Sequence, residues 1–249
     1  MPDLVELLAR NGFVAPDEEA AELTAAAGGD AGRLEALVAR RLTGEPLAWI
    51  TGSVEFCGLV VHIDPGVYVP RWQTEPLALQ ASELLPEGGV AVDLCTGSGA
   101  LACVLRARRP SARVVASDVD PRAVGCAAAN GVEAYLGDLF EPLPAELRGR
   151  LDVVAGVVPY VPTPDLPLLQ RDTFTFETPL AYDGGPDGTA LLRRAVRGAG
   201  EWLRPGGVLA LELGGRQAEL LRGELAGFDD VQELRDEDGD VRGITAARR

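Results

Sequence analysis

The sequence predicts an α/β fold, a doubly wound and mostly parallel sheet that follows a small helical cap and a β-hairpin. Two observations carry this. From Glu75 onward, short apolar runs of strand type alternate with longer segments of helical periodicity, the pattern of successive βαβ units. Before Glu75 the alternation is absent. Residues 1–48 show only helical periodicity, and residues 49–74 carry a hairpin signature. The expected organisation is therefore a helical cap at 1–48, a hairpin linker at 49–74 and a large α/β domain at 75–249.

Each element has its own signal. Leu4, Leu7 and Leu8 share one helical face. Pro16-Asp17-Glu18-Glu19 opens a second helix, with proline at its start and acids that complement the helix dipole. Leu34, Leu37, Val38, Arg41 and Leu42 mark a third, which Gly44 and Pro46 stop. Val54 to Phe56 and Leu59 to Ile63 have strand composition around Cys57-Gly58, and Asp64-Pro65-Gly66 turns the chain away. Strands are expected near 90–93, 114–118, 133–137, 151–156 and 207–213. Val231 to Leu234 and Val241 to Ala246 read as two closing strands joined by the polar turn Asp236 to Asp240. The stretch 157–185 is rich in Pro, Thr and Asp, and a loop that long inside a domain is usually functional.

Composition excludes several chemistries. Hydrophobic residues make up 47% of the 249, enough for a sizeable core. A formal net charge of −15 repels phosphate backbones and weighs against nucleic acid as a direct substrate. All 23 basic residues are arginine, which removes mechanisms that need a Schiff-base or phosphate-loop lysine. Cys57, Cys95, Cys103 and Cys126 stand apart, with neither metal-type spacing nor a disulfide framework, and read as buried thiols of a reducing compartment. The single histidine, His62, lies in an apolar stretch and is expected to be a strand residue. No metal site is expected. Neither a leader pattern nor an apolar run of about 18 residues occurs, so the expectation is a cytoplasmic protein with no membrane partner.

The most specific chemistry lies between Val90 and Asp138. Val90-Ala91-Val92 runs into Asp93 and the glycine-rich turn Leu94-Cys95-Thr96-Gly97-Ser98-Gly99. A second run ends in Asp118, and a third in Asp138. Ligands of open parallel sheets sit outside the carboxyl ends of the strands, so three acids at three strand ends describe a nucleotide-type crevice. Gly97 and Gly99 would let the backbone turn sharply and approach the ligand. Asp118 lies at the spacing where an acid accepts from ribose hydroxyls. Spacing alone leaves NAD open, because Ala102 is tolerated at the third glycine position. Asp93 decides against it: an acid inside the loop repels a pyrophosphate and welcomes the sulfonium and ammonium of S-adenosylmethionine (SAM). Asp138 and the adjoining Leu139 are placed against the adenine.

Over nearly its whole length the chain resembles the bacterial protein-glutamine N5-methyltransferases that modify peptide-chain release factors (the HemK or PrmC family). Arg41-Leu42-Thr43-Gly44-Glu45-Pro46-Leu47, then Ile50-Thr51-Gly52 and Glu55-Phe56, are similar to its cap-to-hairpin segment. Val69-Pro70-Arg71 with Thr74-Glu75 resembles its Pro-Arg-x-x-Thr-Glu motif, and Asp93 to Gly99, Asp118 and Asp138 fall on its cofactor positions. Glu177, Ala181, Gly184-Gly185, Asp187-Gly188, Glu212-Leu213-Gly214 and Gln217 keep its later pattern in order. The resemblance implies a seven-stranded, Rossmann-like SAM-dependent methyltransferase domain behind a helical cap that is short for the family. It also implies cofactor contacts from Asp93, Thr96, Gly97, Gly99, Asp118, Val119, Asp138 and Leu139, and a substrate-side role for Arg71, Trp72, Thr74 and Glu75. For Arg71 and Glu75 a mutual pair that fixes the hairpin is an equal alternative. For Trp72 an aromatic surface beside the acceptor and simple packing weigh equally.

One departure stands at the acceptor site. Where the family has Asn-Pro-Pro-Tyr, this chain has Val157-Val158-Pro159-Tyr160. In the family, the asparagine side chain and the next backbone carbonyl hold the amide nitrogen of the substrate glutamine. Val157 has no acceptor atom. Three readings follow: a SAM-dependent methyltransferase acting on a protein glutamine amide, such as that of a release factor; a methyltransferase for a small amine or hydroxyl acceptor bound against a mostly apolar wall with one polar tip; and a SAM-binding relative without catalysis.

Overall fold

The computed structural model describes residues 3–169 and 175–249. Residues 170–174 of the expected long loop lie outside the described residues. The cap consists of α1 (Leu4–Arg10), α2 (Pro16–Ala27) and α3 (Ala31–Leu42), followed by a short α4 (Leu47–Thr51). The first three match the expected helices. α4 does not appear in the expected pattern, because five residues are too short to show periodicity; Pro46 stops α3 and then caps α4. Residue 48, the expected end of the cap, falls inside α4. Ile50 packs into the cap core with Leu8, Leu23 and Leu37, whereas Ala48 and Trp49 pack into the core of the large domain. The Trp49 indole N–H donates to the Val67 carbonyl at 2.8 Å, which fixes α4 to the linker.

The hairpin pairs β1 (Ser53–Phe56) with β2 (Leu59–His62). Cys57 and Gly58 both have left-handed φ, at 51° and 75°, as a two-residue hairpin turn demands. The large domain holds a seven-stranded sheet in the order β5-β4-β3-β6-β7-β9-β8. The strands are β3 (Val90–Leu94), β4 (Arg113–Asp118), β5 (Glu133–Leu136), β6 (Leu151–Gly156), β7 (Leu203–Glu212), β8 (Phe228–Arg235) and β9 (Val241–Arg248). β3 to β7 pair in parallel and β9 runs antiparallel to both its neighbours. Every expected strand is present. β7 starts earlier than expected because Leu203 pairs with Leu151 across an irregularity in the register.

Alternation along β3 divides the core in two. Ala91 faces α5 (Glu75–Leu84) and α6 (Ala100–Arg108), whereas Val92 and Leu94 face α8 (Ala190–Trp202). α7 (Pro121–Ala129) packs on the α6 side through Ala127. Strands buried on both faces explain the nearly continuous apolar runs of the sequence. The strand order reverses at β3, since β4 and β5 lie on one side of it and β6 and β7 on the other. The crevice at its carboxyl end is where such a sheet binds ligands. Among the described residues, no helix is long and apolar enough to cross a membrane.

Candidate active site

A cavity of about 860 Å³, counting the part open to solvent, lies at that switch point. The end of β3 supplies Asp93, the β3–α6 loop supplies Cys95, Thr96, Gly97 and Ser98, and the end of β4 supplies Asp118 with Val119 just after it. The loop coils through three left-handed residues, Cys95 at φ 54°, Gly97 at 56° and Gly99 at 83°. A non-glycine residue in that conformation at a ligand site is a form of strain that function retains. Gly97 faces the cavity. Gly99 does not: a Cβ there would sit 3.1 Å from the Ala127 Cβ and the Val132 Cγ2. Its role is close packing of α6 against α7, which corrects the expectation of ligand approach. Gly99→Ala is expected to destabilise the fold by about 2 kcal/mol, from the left-handed φ and the overpacking together. A melting temperature equal to wild type would remove this account.

Asp93 is 2% exposed. Its Oδ2 accepts from the Thr96 hydroxyl at 2.5 Å and the Ala102 amide at 3.2 Å. Thr96 therefore serves the cavity by orienting the acid. Burial pushes the Asp93 carboxyl up to about 7, against the pull of these two donors. Asp118 accepts from the Gly97 amide at 2.9 Å on Oδ2 and from the Asp120 amide at 2.9 Å on Oδ1, and burial raises its carboxyl as well. No arginine pairs with either carboxylate among the described residues. A buried acid and a half-buried one, neither paired with an arginine among the described residues, suit a cationic ligand, and SAM carries a sulfonium and an ammonium. A cation favours the ionised form of Asp93, so binding lowers its pKa and affinity rises as pH rises through 7. Between pH 6 and pH 8 the SAM affinity is expected to increase about tenfold, the factor by which a carboxylate titrating near 7 gains ionised form. Calorimetry across that range checks it, with Asp93→Asn expected to bind weakly at every pH.

The linker is a wall of the cavity rather than a tether; of its residues there, sequence reasoning singles out only Thr74 as a site residue. Phe56, Gly66, Val67, Tyr68, Pro70 and Thr74 all line the cavity. Arg71 does not pair with Glu75. Its Nη2 donates to Glu177 Oε2 at 2.6 Å and to the Tyr182 hydroxyl at 3.0 Å. Glu177, whose side chain is 1% exposed, also takes the Val69 amide at 2.9 Å. Glu75 accepts the Cys57 amide at 2.9 Å and so anchors the hairpin turn on α5. The alternative of an Arg71–Glu75 pair fails because each has another partner: Glu177 and Tyr182 take Arg71, and the hairpin turn takes Glu75. Trp72 is 72% exposed and faces Leu77 and Leu234 on the outside, so it adds no aromatic surface to the cavity.

The acceptor segment is only partly as expected. Val157 and Pro159 line the cavity together with Thr178, Leu180 and Ala181. Val158 is fully buried in the core beneath. Tyr160 turns its hydroxyl to Glu212 at 2.8 Å, so the polar tip expected on this wall points away from the cavity. The alternation of side chains after a strand accounts for both corrections. Asp138 also departs from expectation. It pairs with Arg194 at 2.8 Å, Leu139 is buried in the core, and neither lines the cavity. Val119, 45% exposed beside Asp118, offers the flat apolar surface on that side.

Of the remaining candidates only Cys95 lines the cavity. All four cysteines are free; only Cys126 is buried, the other three half-buried. His62, Asp64 and Cys126 bring ligand-type atoms within 4.8 Å of one another, a grouping that the spacing in sequence did not indicate. Protein bonds account for it: the thiol accepts from the Asp64 amide and donates to the His62 carbonyl, and the His62 ring meets the Asp64 carboxylate at 2.9 Å.

Comparison with known proteins agrees with this geometry. Residues 60–140 match the family model of the methyltransferase small domain. The release factor glutamine methyltransferase of Geobacter sulfurreducens is 39% identical over 211 residues, covering 82% of this chain and 73% of the relative. That of Mycobacterium leprae is 40% identical over 225 residues, covering 85% and 77%. A Thermus thermophilus 16S rRNA methyltransferase in complex with AdoMet and guanosine shares the fold, with a TM-score of 0.55 at 20% identity over 79% of this chain and 44% of that one. A fold of this topology, an acid-lined cavity at its switch point and identity of this extent lead to one conclusion: the chain belongs to the release factor glutamine methyltransferase family and is a SAM-dependent methyltransferase.

Proposed function

We propose that this chain transfers a methyl group from SAM to the side-chain amide nitrogen of a glutamine in a peptide-chain release factor, in the cytoplasm. The observation that carries the reading is identity of 39% and 40% to two curated family members over more than four-fifths of the chain. The cavity is consistent with it. Acids stand at one side for a cationic donor, and the Val157–Pro159 wall stands at the other for the acceptor. SAM supplies an electrophilic methyl carbon on a sulfonium. As the nitrogen–carbon bond forms and the sulfur–carbon bond breaks, the amide nitrogen gives up one proton, to water or to a backbone carbonyl. An amide lone pair is delocalised, so the chain's task is orientation. The Val157 carbonyl accepts no hydrogen bond from loop amides among the described residues, which supports a reading in which it meets a glutamine N–H.

A second acceptor class is favoured by one observation, the apolar Val157 side chain on the cavity wall. A small amine or hydroxyl nucleophile needs no asparagine clamp. The test uses SAM with a labelled methyl group, the purified protein and the release factors of its own organism. Acid-precipitable label, with methylglutamine found by mass spectrometry, supports the proposal. Label confined to the soluble fraction of a lysate overturns it in favour of a small acceptor.

A further inference from the structure

Behind the acceptor wall lies a buried carboxylate with no assigned role. Glu212 is the last residue of β7 and is 6% exposed. Its Oε1 accepts the Tyr160 hydroxyl at 2.8 Å, and its Oε2 accepts the Thr74 hydroxyl at 2.5 Å. Thr74 lines the cavity from the linker, and Tyr160 directly follows Pro159, which lines it from the acceptor wall. One carboxylate therefore joins two walls of the same cavity that come from separate parts of the chain.

We propose that Glu212 is a positioning residue for methyl transfer: acting through Tyr160, it fixes the Val157–Pro159 acceptor wall against the linker and the cofactor loop. The inference rests on the functional reading above. Glu212 does not itself line the cavity, so it touches neither donor nor acceptor. A carboxylate only accepts, so both hydroxyls must donate to it and both rotors are fixed. The same strand-to-helix turn grips Tyr160 a second time, because the Gln217 side-chain amide donates to the Tyr160 carbonyl at 2.6 Å. The loop is packed tightly there: a Cβ on Gly188 would lie 2.2 Å from that carbonyl oxygen. Asp93 and Asp118 stand on β3 and β4, outside this clamp. Loosening it moves the acceptor wall and leaves the cofactor loop in place. Transfer needs the reacting atoms about 3–3.5 Å apart, and a shift of about 1 Å costs as much as a hundredfold in rate.

The test compares wild type with Glu212→Gln, Tyr160→Phe and the double variant. Glutamine keeps the shape but presents an amide N–H₂ to one hydroxyl; phenylalanine removes the Tyr160 link alone. Glu212→Gln is expected to lower kcat on the release factor about tenfold, the effect of one lost charge-assisted hydrogen bond, with SAM affinity unchanged. The double variant is expected to be no slower than the slower single one, since both break one link. A wild-type kcat in Glu212→Gln, losses that multiply, or a loss that follows SAM affinity overturns the proposal. Amide hydrogen exchange gives a readout that needs no acceptor: exchange at 157–161 is expected to speed up in Glu212→Gln, with 93–99 unchanged. Unchanged exchange at 157–161 also overturns it. A wild-type enzyme that methylates no release factor overturns the functional reading alone, and the exchange result then stands or falls by itself.

Discussion

Asp118→Ala abolishes SAM binding and leaves the fold intact. The carboxylate ends β4 on the cavity lining, held by the Gly97 and Asp120 amides, where the expectation puts the ribose hydroxyls. These backbone donors occupy one lone pair of each oxygen, so each oxygen retains capacity for a hydroxyl. Two bonds to a charged acceptor are worth about 1.5–3 kcal/mol each, so losing both reduces affinity by at least about a hundredfold. Loss of a negative charge from a site built for a cation adds to this. The fold survives because no ion pair is broken and the two freed amides border an open cavity where water replaces the carboxylate. Removal of an acid whose burial already disfavours ionisation also relieves a cost. Titration calorimetry and a thermal melt check both halves. Unchanged affinity removes Asp118 from the cofactor site.

The sheet was legible in the sequence because its strands are buried on both faces, which writes them as runs such as Val90-Ala91-Val92 and Val114-Val115-Ala116. The two acids that line the cavity, Asp93 and Asp118, were legible for a related reason: strand ends are visible, and an acid at a strand end can face the crevice. Asp138 shows the limit of that rule. It follows β5, the outermost strand on its side, and Arg194 from α8 takes the carboxylate. The linker's part in the cavity was hidden because it depends on contacts between distant segments. Glu177 holds Val69 and Arg71, and Glu212 holds Thr74 and Tyr160. A lone glutamate in a loop carries no local pattern that announces such a partner. Only the resemblance to the family pointed to these positions: it implied a substrate-side role for Arg71 and Thr74 and an acceptor-side one for Tyr160, and gave Glu177 and Glu212 none.

Val157→Asn raises the rate of release factor methylation about tenfold, the value of roughly 1.4 kcal/mol in the transition state. Val157 follows Gly156, the end of β6, where a Cβ would strike the Leu94 carbonyl at 2.7 Å; the strand end is therefore rigid and position 157 is well placed on the cavity wall. An asparagine there adds one carbonyl acceptor in nearly the same volume. For a glutamine amide the change is twofold. One N–H that faced an apolar methyl gains a partner, which recovers about 1–3 kcal/mol of otherwise unsatisfied desolvation. The fixed N–H also turns the nitrogen lone pair toward the methyl carbon, so the gain belongs in kcat more than in acceptor KM. SAM affinity stays constant, because Asp93 and Asp118 lie on other strands. The opposite result is equally informative. If Val157→Asn leaves glutamine methylation unchanged or lowers it while SAM affinity holds, the valine is matched to its acceptor, and an apolar small molecule fits that wall better than an amide does.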